Sequence, residues 1–111
     1  MKTTEALDCL YALAQETRLD AFRELVQVGP AGLAVGALQE RLGVPPATLT
    51  AHLNILRAAG LVEDEREGRT IKVSAAYARM NGLLSFLTEN CCAGAGCAGA
   101  PARPSRKRRR S

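Results

Sequence analysis

Three of the four cysteines, Cys91, Cys92 and Cys97, fall within seven residues of one another in a stretch otherwise made of alanine and glycine. Such a stretch has no apolar bulk to form a core, so these thiols are read for their chemistry: a disulfide, a zinc site, or capture of a soft ion. Zinc takes four ligands in a tetrahedron. This segment has three thiols, no histidine and no carboxylate beyond Glu89, so a fourth ligand would have to come from Cys9 or from a second chain. Trivalent arsenic and antimony need only three sulfurs, because a lone pair occupies the fourth direction. Three thiolates on zinc would leave a net negative charge at the negative end of the preceding helix, and the nearest flanking basic residues are Arg79 and Arg103. Arsenous acid condensing with three thiols releases water and gives a neutral product. Stoichiometry and charge therefore favour Cys91, Cys92 and Cys97 as a site for As(III), or Sb(III), with zinc or cadmium binding and a thiol redox switch as the alternatives. Catalysis by the same thiols would need an anion cradle and an activating base or cation beside the nucleophile. Neither is evident, and the chain is not read as an enzyme. Cys9, among Leu10 and Leu13, is assigned to core packing.

A second set of residues has the spacing to read nucleic acid. At about 100° per residue, Leu49, Leu53 and Leu56 fall on one helical face. Ala47, Thr48, Thr50, Ala51 and Asn54 are left on the sides and back. Threonine hydroxyls serve phosphates or bases, asparagine pairs with adenine, and alanine admits thymine methyls. Arg57, Arg66, Arg69 and Lys72 follow as phosphate contacts. His52, the one histidine, lies at the edge of the packed face and is assigned a structural hydrogen bond.

The elements that must position these residues are legible from periodicity. Helical spacing runs over residues 4–14, with Thr4 as N-cap, over 16–28 up to Gly29-Pro30, over 34–42 up to Gly43, and over 46–58 up to Gly60. The third and fourth helices are joined by a tight turn, as a helix-turn-helix requires. A strand opens at Leu61-Val62, Glu67-Gly68 offers a turn, and Ile71 and Val73 alternate with polar neighbours in a returning strand. Helical spacing resumes over 75–89. The expected fold is mainly α with a small β-hairpin wing, in the order α-α-α-α-β-β-α: a winged helix-turn-helix over residues 1–90, then a cysteine segment at 91–97 and a basic disordered tail at 98–111.

The run Leu42-Gly43-Val44-Pro45-Pro46-Ala47-Thr48-Leu49-Thr50-Ala51-His52-Leu53-Asn54-Ile55-Leu56-Arg57-Ala58-Ala59-Gly60-Leu61-Val62 resembles, without gaps, the recognition region of the ArsR/SmtB family. Glu16-Thr17-Arg18-Leu19 and Arg66-Glu67-Gly68-Arg69 resemble that family's second-helix start and wing turn, and the similarity covers residues 4–90. The resemblance implies a homodimer joined through the first and last helices, which represses genes on double-stranded operator DNA until a metal ion or metalloid binds. Leu87-Thr88-Glu89-Asn90-Cys91-Cys92, followed by one more cysteine, is similar to an arsenic-responsive branch with its site after the last helix. The chain departs from the family at Pro45, Pro46 and Ala47, where serine or glutamine is usual, so fewer polar groups face the groove.

The net charge of +4 belongs to the tail. Six of the fifteen basic residues are Arg103, Arg106, Lys107, Arg108, Arg109 and Arg110, and no acid follows Glu89, so residues 1–102 hold nine bases against eleven acids. DNA affinity in the globular part must then be local, with the tail as an unspecific supplement. At 111 residues, without Trp and with two Tyr and two Phe, the core must be aliphatic and marginal alone, which favours partnering. Nothing resembles a signal peptide or membrane span, so a cytoplasmic location and reduced thiols are expected.

Overall fold

A computed structural model describes residues 1–91. In chain order the elements are α1 (Thr3–Leu13), α2 (Glu16–Val28), β1 (Leu33–Ala34), α3 (Val35–Leu42), α4 (Pro46–Ala58), β2 (Val62–Glu67), β3 (Thr70–Ala75) and α5 (Tyr77–Leu87). This is the winged helix-turn-helix expected from the periodicity, with one added short strand.

Local chemistry sets the boundaries. The N-cap of α1 is Lys2 rather than Thr4, and its backbone N–H donates to Glu5 Oε1 at 2.8 Å. Thr4 lies inside the first turn because the glutamate three residues after Lys2 satisfies the free amide. Gln15 caps α2 by accepting from the Arg18 amide at 2.9 Å. Gly43 ends α3 in the left-handed region at φ +68°, donating to Gln39 O at 2.8 Å. Pro45 then sits extended, and Pro46 opens α4 at N1, where the amide it lacks would have no intrahelical partner. The prolines that depart from the family pattern thus form a rigid entry to α4.

The sheet is antiparallel in the order β1-β3-β2. β2 and β3 register Val62 with Ala75, Asp64 with Val73 and Arg66 with Ile71. Their two-residue connection begins at Gly68, φ +62°, a left-handed position suited to a tight hairpin. β1 adds Leu33 opposite Val73. Two residues are too few for a visible alternation, and the pairing depends on Gly32, where any Cβ would collide with the Val73 carbonyl oxygen. β3 runs on to Ala75, so α5 starts at Tyr77 instead of 75 and ends at Leu87 instead of 89.

The core is aliphatic, with Leu25, Leu38, Leu49, Leu53, Leu56, Leu61, Val73 and Cys9 fully buried. α1 buries its small face, Ala6, Cys9 and Ala12. Its larger apolar side chains stay outside: Leu7 is 59% and Tyr11 66% exposed, as are Leu84 and Leu87 on α5 at 54% each. Among the described residues no helix is long and apolar enough to cross a membrane.

Candidate nucleic-acid interface

α4 divides as its period requires. Leu49, Leu53 and Leu56 are buried, while Ala47, Thr48, Thr50, Ala51 and Asn54 are exposed. His52 lies between the two faces, and its Nδ1 is 3.3 Å from an Arg18 guanidinium nitrogen. Arg18 is itself buried, donates from Nε to Ala12 O at 2.7 Å, and lies 5.5 Å from the Tyr11 ring centroid. A guanidinium only donates, so Nδ1 is the acceptor in this contact. The histidine ties α4 to the junction of α1 and α2, which is the structural hydrogen bond expected of it.

Two of the proposed DNA contacts are already paired with each other. Arg57 donates to Asn54 Oδ1 at 2.9 Å and lies 3.0 Å from Asp64 on β2. Bidentate recognition of adenine uses both the oxygen and the nitrogen of an asparagine amide, so Asn54 must share its Oδ1 between Arg57 and the base or release Arg57. Exposed ion pairs are worth about 0–1 kcal/mol, and exchanging Asp64 for a phosphate is correspondingly cheap. Asp64 was not singled out from the sequence, because its role depends on the hairpin folding back against α4.

The wing has two unlike faces. Alternation along β2 puts Arg66 on the side of Asp64, Val62 and the buried Val73, the side that meets α4. The other side carries Glu63, Glu65 and Glu67, and Lys72 is there too, registered with Glu65 and 3.6 Å from Glu67. Arg69 follows Gly68 at the hairpin tip. Arg66 and Arg69 are exposed and form no ion pair among the described residues.

Of the cysteines, Cys91 is exposed and lies one residue past Asn90, which adopts φ +58°. The Cys91 amide donates to Thr88 O at 2.9 Å. Cys92, Cys97 and the basic tail lie outside the described residues. Cys9 is fully buried, its Sγ 3.6 Å from Ala59 O, and burial pushes its thiol up while Arg79 pulls the other way. A protonated thiol facing the end of α4 cannot join the C-terminal thiols without opening the core. Arg79 is also engaged, 3.1 Å from Ala59 O and 3.8 Å from Glu5. Among the described residues no group of three His, Cys, Asp or Glu could hold a metal.

Residues 13–65 match the helix-turn-helix domain family. The ArsR-like transcriptional regulator of Rhodococcus sp. RHA1 is 34% identical, with 81% of each chain covered and a TM-score of 0.69. This chain belongs to the ArsR family of winged-helix transcriptional regulators. The nodulation protein NolR of Rhizobium meliloti is also similar, 34% identical over 80 residues; the match takes in 72% of this chain and 63% of NolR, less than two thirds of its length. A solution structure from Mycobacterium bovis, described as a homodimeric winged helix-turn-helix DNA-binding domain of a possible ArsR-family regulator, is 26% identical with a TM-score of 0.62, covering 90% of this chain and 89% of that one.

Proposed function

We propose that this ArsR-family chain is a homodimeric repressor that binds double-stranded operator DNA and releases it when As(III), or Sb(III), is held by the thiolates of Cys91, Cys92 and Cys97. One observation carries the DNA-binding part. A helix with a fully buried leucine face presents Thr48, Thr50, Ala51 and Asn54 to solvent, and the hairpin beside it puts Arg66 on the same side. The description of the M. bovis relative as a homodimeric DNA-binding domain supports it. The exposed Leu7, Leu10, Leu84 and Leu87 on the first and last helices supply the pairing surface. Each leucine is already about half-buried, so completing its burial there contributes on the order of 1 kcal/mol.

The inducer is argued from chemistry. With the Cys9 thiol enclosed against Ala59, the chain offers three thiols near its C-terminus and no fourth, which suits a pyramidal trivalent metalloid better than tetrahedral zinc. Thiolate sulfur would supply the bonds, and Cys91 stands exposed just after α5 to begin them.

The test is fluorescence anisotropy of labelled operator DNA with the full chain, titrated in parallel with arsenite, antimonite, zinc, cadmium and peroxide. Release by arsenite or antimonite at about one equivalent per chain is expected. Release by zinc alone, with four ligands in X-ray absorption, would replace the metalloid with zinc. Release by peroxide without any ion would make the thiols a redox switch.

A further inference from the structure

The C-terminal end of α4 is where the reading helix is joined to the rest of the molecule. A helix leaves its last four carbonyls without intrahelical donors, so each needs a partner from elsewhere. Here the last turn closes on itself: Gly60, at φ +77°, donates to Arg57 O at 2.9 Å, and Leu61 donates to Leu56 O at 3.0 Å. The Ala59 amide donates to Ile55 O at 3.2 Å. Ala59 is buried, and its own carbonyl is served by two side chains from other helices: Arg79 Nε at 3.1 Å and Cys9 Sγ at 3.6 Å.

These donors are unequal. A thiol is a weak donor, whereas a guanidinium forms a charge-assisted bond. A cation there also offsets the partial negative charge at the C-terminus of α4. Arg79 belongs to the first turn of α5, and the Ala76 amide just before it donates to Leu61 O at 2.8 Å. α5 therefore begins by gripping two points on the exit from α4. The fit is close: a Cβ on Gly60 would lie 2.8 Å from Arg79 Nε.

We propose that Arg79 is the positioning residue through which α5 holds the end of the reading helix, so that a displacement of α5 reaches the DNA-facing residues through its bond to Ala59. The inference rests on the reading of this chain as a ligand-released repressor and gives that release a route. α5 is continuous from Tyr77 to Leu87, with Cys91 four residues beyond it. A shift imposed at its far end carries the first turn with it. Once Arg79 withdraws, the buried carbonyl keeps only the thiol, and the last turn of α4 loosens as a unit.

The experiment compares the full-length wild type with Arg79→Met, which keeps an apolar stem and removes the donors, and Arg79→Lys, which keeps the cation. Operator affinity is measured free and with arsenite, arsenite loading is followed by sulfur-to-arsenic absorption, and amide exchange is read at residues 59–61. For Arg79→Met, loading is expected to be unchanged. Exchange at residues 59–61 rises about tenfold while α2 stays protected, and the ratio of free to loaded affinity shrinks at least about fivefold. Arg79→Lys recovers part of that ratio. A purely structural arginine would raise exchange throughout and leave the ratio intact, which overturns the proposal. If arsenite does not release the wild type, the inducer is wrong and the free protein decides. Wild-type operator affinity with unchanged exchange in Arg79→Met then overturns the proposal, and weaker operator binding with faster exchange confined to residues 59–61 upholds it. Should Arg79→Met fail to fold, the same comparison is read on Arg79→Lys, where a wild-type ratio overturns it.

Discussion

The outer face of α4 and the outward apolar side chains of α1 and α5 are both open to solvent in the single chain, yet they are chemically opposite. On α4 the exposed residues are small or polar: Thr48, Thr50, Ala51 and Asn54. On α1 and α5 they are Leu7, Leu10, Tyr11, Leu84 and Leu87. A scattered exposed leucine needs no explanation, whereas a set of them on two touching helices marks an interaction surface. The contrast teaches that exposure alone does not define a site. The polar face loses little by remaining wet until a nucleic acid replaces the water, and the leucine face gains only by pairing with protein.

Breaking the apolar face should have the largest effect. Charging it with Leu84→Glu and Leu87→Glu is expected to give a folded monomer by analytical ultracentrifugation. Operator affinity should fall on the order of a hundredfold or more, because two linked reading helices bind far better than one. A dimeric variant with intact operator binding would move the interface elsewhere. Next comes the proposed inducer site: the Cys91→Ser, Cys92→Ser pair should bind operator as the wild type does, while the roughly 5–150-fold release expected on loading disappears. Serine is nearly isosteric but too hard a ligand to hold arsenic against water. Cys97→Ser should impair release less completely, since two sulfurs still chelate.

On the DNA side, Asn54→Ala should cost about 1–3 kcal/mol at one base position, checked with single-position operator variants. Arg66→Ala should lower affinity for all duplexes alike and reduce the salt slope by about one. Lys72→Ala, on the glutamate-bearing side of the wing, should change that slope less. Equal effects would show that both faces of the hairpin meet phosphates. Deleting residues 103–111 should flatten the salt dependence without altering sequence preference.

The smallest effect concerns Glu5. Its carboxyl is held below the usual range by the Lys2 backbone amide first and by Arg79 further down. A depressed folded value means that its contribution is present above the ordinary glutamate range and fades as pH falls through the lowered one. Glu5→Gln should therefore lose a small part of the acid dependence of unfolding, measured by thermal melts between pH 3 and 6, and leave DNA binding alone.

The helices and the hairpin could be read from the sequence because their causes are local: a 3.6-residue or two-residue period, Gly43 and Gly60 as stops, and Pro46 as a start. The buried leucine face of α4, and hence its exposed Thr48, Thr50, Ala51 and Asn54, followed from the same period. The cysteine cluster was legible by composition, and its third and second members, Cys97 and Cys92, lie outside the described residues. What periodicity could not decide was which leucines would be inside. Leu7 and Leu10 share a helix with Ala6, Cys9 and Ala12, and only the approach of α4 and α2 selected the small residues for burial. Long-range partners were equally hidden: Arg18 with His52, Arg57 with Asp64, Arg79 with Ala59, and two residues of β1 with β3. None of these pairs has a local signature, because each forms only where the folded elements bring a donor to its acceptor: at a buried carbonyl for Arg79, at the protein surface for Arg57.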